Sequence, residues 1–250
     1  MKIAIILIYV VIFIILWVLV NKYEDYIDEP YITVYTNGGL NNKLRVLLSY
    51  LYKANQEGKK LKIIWNQTDE CPDRFDNLFE PISNVTIVYI KNDKYKKYDI
   101  KTFNQKSKKY IKDNYYSLLK PLPSIQNEIN DTKEKLGKEY IACHIRRTDA
   151  LTNHVYKDQI IKDDEYINFI NQYPKDLKIY IATDCRDTQK KFIDIYGDRM
   201  IYKKIEDNDN LRQTSLQDAV KDMYVCVGAK YFMKSVGSFS STIMNLRQLN

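Results

Sequence analysis

The sequence predicts an α/β fold of two lobes, each a parallel sheet covered by helices, and three observations carry that expectation. Short apolar runs alternate with helix-period segments through the body of the chain. Glycine and proline turns fall between them. Charged and hydroxyl residues gather just after several of the apolar runs, where sheets of this kind receive ligands. With 250 residues, 45% of them hydrophobic and 28% charged, the chain can bury one large core or two smaller lobes, which argues against disorder.

The amino end is of a different kind. Ile3 to Val20 is a run of 18 residues without a charge or a proline. As a helix it spans roughly 27 Å, near the ~30 Å thickness of a bilayer's hydrocarbon core. It ends in Trp17-Val-Leu-Val-Asn-Lys22 rather than in a small-residue cleavage site, so residues 1–22 read as an uncleaved membrane anchor and 23–30 as a linker. The weak bias of basic residues places the amino end in the cytosol and the body in a lumen of the Golgi or endoplasmic-reticulum kind. The triplets at Asn66, Asn84 and Asn130 match the glycosylation acceptor pattern and fit that placement.

In the body, Tyr31 to Thr36 reads as a strand. After Asn37-Gly-Gly39, Leu44, Leu47, Leu48, Leu51 and Ala54 recur at helical spacing over 41–57. Strands at 61–65 and 85–90 complete a first lobe over 31–120, with a lysine-rich insertion at 91–113. Pro121 and Pro123 lead into a polar helix at 124–136 that opens the second lobe, 121–250. There the pattern is strand 140–145, helix 163–173, strand 178–183, helix 187–196 and strand 200–205. Helix 214–226, strand 231–234 and a short helix from Ser240 follow. Alternation of this order implies parallel sheets with right-handed crossovers.

The formal charge of +7 raises the question of a nucleic-acid partner. The excess sits in the insertion, however, where nine lysines face three aspartates, and it reads as a solvated segment rather than a binding stripe. No nucleic-acid partner is expected. Four cysteines at 71, 143, 185 and 226 lack metal-ligand spacing; three lie in or beside apolar runs and read as buried thiols, with a disulfide still open in a lumen.

The chemistry centres on "HIRRTDA", residues 144–150. Among 31 lysines the chain has only eight arginines, and two stand together here. Adjacent strand residues point to opposite faces, so both guanidinium groups can serve one ligand only where the strand is ending. Forked, permanently charged donors match phosphate oxygens, and a pair suits a diphosphate. The alternatives are an Arg147–Asp149 ion pair with Arg146 packed along the sheet, and a His144 that is simply buried in the core. Near the carboxyl end, Gly237-Ser-Phe-Ser-Ser-Thr242 opens a helix whose hydroxyls and N–H groups would suit a phosphate, or merely cap the helix. Asp184 ends its strand as a cap or a ligand contact. Asp207-Asn-Asp209 has the loose Asp-X-Asp form of a metal-nucleotide site, or of an acidic loop.

"HIRRTDA" resembles the central motif of the GDP-fucose-dependent fucosyltransferases, which include the α-1,6, nodulation and protein O-fucosyltransferases. "GGLNNKLRVLLSYLYKA" from Gly38, "IATDCRD" from Ile181 and "LQDAVKDMYVCVGAKYFMKSVGSFSS" from Leu216 are similar in the same order. The stretch from Trp65 to Pro81 resembles a segment of bacterial and viral members, with no chemistry assigned to it. The resemblance implies a GT-B-like fold of two Rossmann-like lobes and inverting transfer of fucose from GDP-fucose to a glycan or glycoprotein hydroxyl. It implies no metal and no further cofactor.

Residue by residue, the same resemblance implies that Arg146 holds the β-phosphate, with Arg147 assisting and His144 bonded to the diphosphate. Ser240, Ser241 and Thr242 would complete the phosphate cradle. Asp222 would read the guanine N–H groups, with Asp218 one turn earlier able to take that role. Gly38, Gly39, Asn41 and Asn42 lie in the loop over donor or acceptor, and Asp149 is a candidate general base. Two departures stand out: Asn41 occupies a glycine position of the motif and Lys43 a glutamine position. If the former needs a positive φ, Asn is the least costly replacement. Two other functions compete with this one: a different, possibly metal-dependent, sugar-nucleotide transferase, and a silent sugar-nucleotide-binding protein.

Overall fold

A computed structural model of the chain describes residues 31–91, 113–148, 150, 159–206 and 214–249. The apolar run 3–20, most of the lysine-rich insertion, Asp149 and the Asp207–Asp209 triplet lie outside the described residues. Among the described residues no helix is long and apolar enough to cross a membrane.

The first sheet is parallel, in the order β1 (Tyr31–Thr36), β2 (Lys60–Gln67), β3 (Val85–Lys91). Helix α1 (Leu40–Gln56) links β1 to β2 and buries Leu44, Leu47, Leu48, Leu51 and Ala54, the residues whose spacing marks it in the sequence. Strand β3 alternates between half-buried and exposed positions, as an edge strand covered on one face should. After a 3₁₀ turn at Asp113–Leu118, helix α2 (Pro123–Leu136) begins with proline in its first turn, where the missing N–H has no helical partner to lose.

The second sheet is also parallel, in the order β5 (Lys178–Thr183), β4 (Tyr140–Ile145), β6 (Tyr231–Met233). Helices α3 (Asp163–Asn171), α4 (Arg186–Tyr196), α5 (Leu216–Gly228) and α6 (Ser238–Arg247) accompany it. Every residue of β4 is buried, and its side chains divide cleanly. Ile141, Cys143 and Ile145 join the cluster with Tyr166, Ile170 and Phe192, while Tyr140 and Ala142 face α5 and α6 in the cluster that also contains Leu44, Trp65 and Ile243 of both lobes. The four cysteines form no disulfide, and Cys71, Cys143 and Cys226 are buried.

The strand expected at 200–205 does not form a ladder. It makes one parallel bridge, Ile179 to Met200, and Ile201 N–H donates to Ile179 O at 3.0 Å. Beyond that point the Gln189 side chain of α4 takes the place of a neighbouring strand, accepting from Ile205 N–H (3.0 Å) and donating to Lys203 O (3.0 Å). The glycosylation triplets also separate: Asn84 and Asn130 are exposed, whereas Asn66 lies in β2 at 4% exposure and is closed to modification in the folded chain.

This topology positions the site. From β4 the chain moves to β5 on one side and later returns to β6 on the other, so the carboxyl end of β4 is where the winding reverses. Loops leaving β4 and β6 diverge there and leave a crevice between them.

Candidate functional site

A cleft of about 240 Å³ opens at that reversal, and both lobes line it. His144, Arg146, Asp184 and Asp222 come from the second lobe, and Gly39, Asn41, Asn42 and Glu70 from the first.

The two arginines part company. The alternation of β4 continues past its last residue, so Arg146 follows His144 into the cleft and Arg147 follows Ile145 into the protein. Arg147 is 7% exposed, and its guanidinium pairs with Asp163 at 2.5 Å. It also donates to Ile161 O (3.0 Å) and Arg146 O (3.1 Å), and lies 5.9 Å from the Tyr166 ring centroid. A joint grip of both guanidinium groups on one diphosphate is not the arrangement found. Arg147 instead ties the loop after β4 to α3, and its backbone N–H donates to Asp184 Oδ1 at 2.9 Å.

Arg146 reaches the start of α6. Gly237 has a φ of +98°, which favours glycine, and a Cβ there would meet Arg146 Nη1 and force that side chain to move. Arg146 N–H donates to Ser235 Oγ (3.3 Å), which stitches the end of β4 to the loop after β6.

His144 is set by Ser240. The ring Nδ1 lies 2.7 Å from Ser240 Oγ, which itself accepts from Ser235 N–H at 2.9 Å. With the Ser240 hydroxyl as the donor of this bond, the imidazole proton sits on Nε2, and that is the tautomer assigned here. Burial, with Arg146 beside it, pushes the His144 pKa down to about 3, so the ring is a neutral donor at physiological pH. Phe239 packs on it with a centroid separation of 4.6 Å.

The hydroxyls expected to form a phosphate cradle are largely committed. Ser240 is buried behind His144; Ser241 donates to Gly237 O (3.2 Å) and Thr242 to Ser238 O (3.1 Å). Ser and Thr in a first helical turn readily bond back to the preceding carbonyls, and these do. What faces the cleft from α6 is its amino terminus, Ser238 and Phe239.

Asp222 and Asp218, one turn apart on α5, have different surroundings. Asp218 is the inner partner of the Ser215 cap, receives Lys203 (2.9 Å) and Lys221 (3.3 Å), and does not line this cleft. Asp222 does line it, accepts from Tyr180 O–H, and has its pKa pushed up to about 7, first of all by burial. Asp184 spends both oxygens on the loop, one on Arg147 N–H and the other on Thr148 Oγ1 (2.6 Å).

In the first lobe, Gly38 holds a φ of +75° and Gly39 caps α1. Asn41 is an ordinary helical residue of α1, with no positive φ, so its place in the motif does not depend on glycine-like freedom. Asn42 Oδ1 accepts from Arg45 at 3.1 Å. Glu70, Thr183, Leu216 and Phe239 also line the cleft; each lies in a stretch that resembles the family, but none was singled out as a site residue.

No protein-family model matches the sequence, and no curated protein matches it. Solved structures do match. A NodZ α-1,6-fucosyltransferase soaked with GDP-fucose aligns with a TM-score of 0.58 at 14% identity, over 88% of this chain and 93% of that one. POFUT1 in complex with GDP gives 0.58 at 11% identity, over 88% and 95%. NodZ from Bradyrhizobium gives 0.55 at 14%, over 85% and 92%. The chain therefore has the fold of these fucosyltransferases along nearly its whole length and theirs, which fits the GT-B-like arrangement.

Proposed function

We propose that the chain is an inverting glycosyltransferase that moves fucose from GDP-fucose to a hydroxyl of a glycan or glycoprotein. One observation carries the reading. Arg146, neutral His144, the α6 amino terminus and Asp222 converge on a single cleft at the reversal point of a sheet, in a fold shared with enzymes crystallised with GDP and GDP-fucose.

Each group has a part. The Arg146 guanidinium takes the β-phosphate and the charge that develops on it as the sugar leaves. One well-placed donor of this kind contributes about 3 to 4 kcal/mol by analogy with oxyanion holes. His144 Nε2–H and the α6 dipole add donors that need no reorganisation. Asp222, once ionised, accepts the two guanine N–H groups. Arg147 acts from behind, by holding the loop that aims Arg146. With leaving-group charge met in this way, the reaction calls for no metal, and turnover should persist with a chelator present. The 18-residue apolar run at 3–20 supports a membrane anchor that holds this body in a secretory lumen.

Titration of GDP and UDP into the full chain in detergent tests the proposal, with Arg146→Ala beside it. GDP should be preferred, and the substitution should remove about 1.5–3 kcal/mol, roughly 10- to 150-fold in Kd. A UDP preference, or an unchanged Kd in Arg146→Ala, counts against it.

A further inference from the structure

Beyond β2 the chain reverses at Asp69 and Glu70, and the reversal is held from several directions. Thr68 N–H donates to Cys71 O (3.2 Å) and Cys71 N–H to Thr68 O (2.9 Å). Gln67 Nε2 donates to Pro72 O (2.6 Å) and Trp65 Nε1 to Asp73 O (3.0 Å). From beneath, Lys43 of α1, fully buried, donates to the carbonyls of Asn66 and Cys71 and lies 5.0 Å from the Trp65 ring centroid. A buried ammonium is costly unless its donors are satisfied. Here the carbonyls that satisfy it are those on either side of the turn.

At the tip of that turn Glu70 is exposed and lines the cleft. Its Oε2 lies 3.6 Å from the point that a Cβ on Gly38 would occupy, with Asn42 Nδ2 3.3 Å from the same point. A side chain at Gly38, where φ is already positive, would crowd this carboxylate and the Asn42 amide together.

A one-step displacement at the anomeric carbon requires the attacking hydroxyl and the leaving phosphate to lie on opposite sides of it. The base must come within hydrogen-bond reach of the acceptor hydroxyl, on the side of the anomeric carbon away from Arg146, and the first-lobe wall of the cleft is the part that does not carry Arg146. Among the described residues, three carboxylates line the cleft. Asp184 lies on the Arg146 lobe and is bonded to Arg147 N–H and Thr148 Oγ1 of the adjoining loop, and Asp222 is buried on the same lobe against Tyr180. Glu70 alone comes from the first lobe.

We propose that Glu70 is the general base of the transfer and that Lys43 is the positioning residue that sets the turn carrying it, an inference that rests on the fucosyl-transfer reading above. As the acceptor oxygen bonds to C1 of the fucosyl group, its proton passes to the Glu70 carboxylate. The bond from C1 to the β-phosphate oxygen breaks, and its electron pair leaves on that oxygen, facing Arg146. Water in the acceptor's place yields free fucose and GDP with the same proton balance. An azide ion attacks without a proton to lose, gives fucosyl azide, and needs no base.

The test follows from that difference and uses the full chain in detergent, GDP-fucose as donor, and water or azide as acceptor. Glu70→Gln should lower GDP release to water by about 100-fold or more while GDP Kd stays within about twofold of the parent. Glu70→Ala should regain turnover in azide, with fucosyl azide detected by mass spectrometry. Hydrolysis by Glu70→Gln within about threefold of the parent, a parallel loss of GDP binding, or no azide rescue overturns Glu70 as the base. Absence of GDP binding, or of GDP release from the parent with either acceptor, overturns the transferase reading itself and this role with it.

Discussion

Replacing Asp222 with Asn should make the protein more stable and a poorer binder of GDP. The carboxyl is buried and its pKa is raised from the ordinary 3.8 to about 7, mainly because burial penalises the charge. A raised folded-state pKa means that the folded chain holds this proton more tightly than the unfolded chain. The associated stability is complete below about pH 4 and is lost as pH rises through about 7. A shift of some three units corresponds to about 4 kcal/mol at pH 8, at roughly 1.4 kcal/mol per unit. Asn keeps an oxygen for the Tyr180 hydroxyl and has no charge to bury, so it removes that loss. For a chain of this size each kcal/mol moves the melting temperature by about 2–4 °C.

Guanine presents two N–H donors, whereas the Asn amide offers one acceptor and one clashing donor. GDP affinity should fall by about 1.5–3 kcal/mol. In the parent, GDP binding should weaken below pH 7 as Asp222 takes up its proton. Thermal melts of parent and Asp222→Asn at pH 5 and pH 8, with and without GDP, read both effects. If the variant keeps the parent's pH dependence, or melts lower at pH 8 and still binds GDP as well, the assignment of Asp222 to the nucleobase is wrong.

Gly237→Ala should displace the Arg146 side chain and strain a φ of +98°, lowering GDP affinity at least tenfold, as titration would show, with a stability loss of about 1 kcal/mol or more. Ser240→Ala removes the hydroxyl that is hydrogen-bonded to His144 Nδ1. Because the chain has only two histidines, ¹⁵N NMR should resolve a change from the Nε2–H tautomer to a mixture, accompanied by weaker GDP binding; an unchanged tautomer would show that Ser240 does not set it.

Much of this was legible in the sequence because the signals are local. The alternation of apolar runs with helix-period segments follows from the pleat and the helical turn, and it places α1, β4, β5 and α5 close to where they form. "HIRR" at the end of an apolar strand likewise marks the cleft. What was not legible depends on partners far along the chain. Whether Arg147 joins Arg146 is decided by Asp163 and Tyr166 on α3, which offer a half-buried carboxylate and a buried ring on the opposite face of the sheet. The segment at 200–205 is apolar enough for a strand, but the Gln189 side chain takes the hydrogen bonds that a ladder would have made. Ser241 and Thr242 look like ligand hydroxyls until their geometry shows them bonded to carbonyls one turn back. Glu70 lies in the Trp65–Pro81 stretch, to which the resemblance assigned no chemistry, and the turn clamped by Lys43 brings it to the cleft.

A crystal structure of the chain with GDP bound tests the central claim most directly. The β-phosphate should lie within hydrogen-bonding distance of the Arg146 guanidinium and His144 Nε2, at the amino end of α6, with the guanine N–H groups on Asp222. A diphosphate bound away from Arg146, or a base seated away from Asp222, would contradict the account.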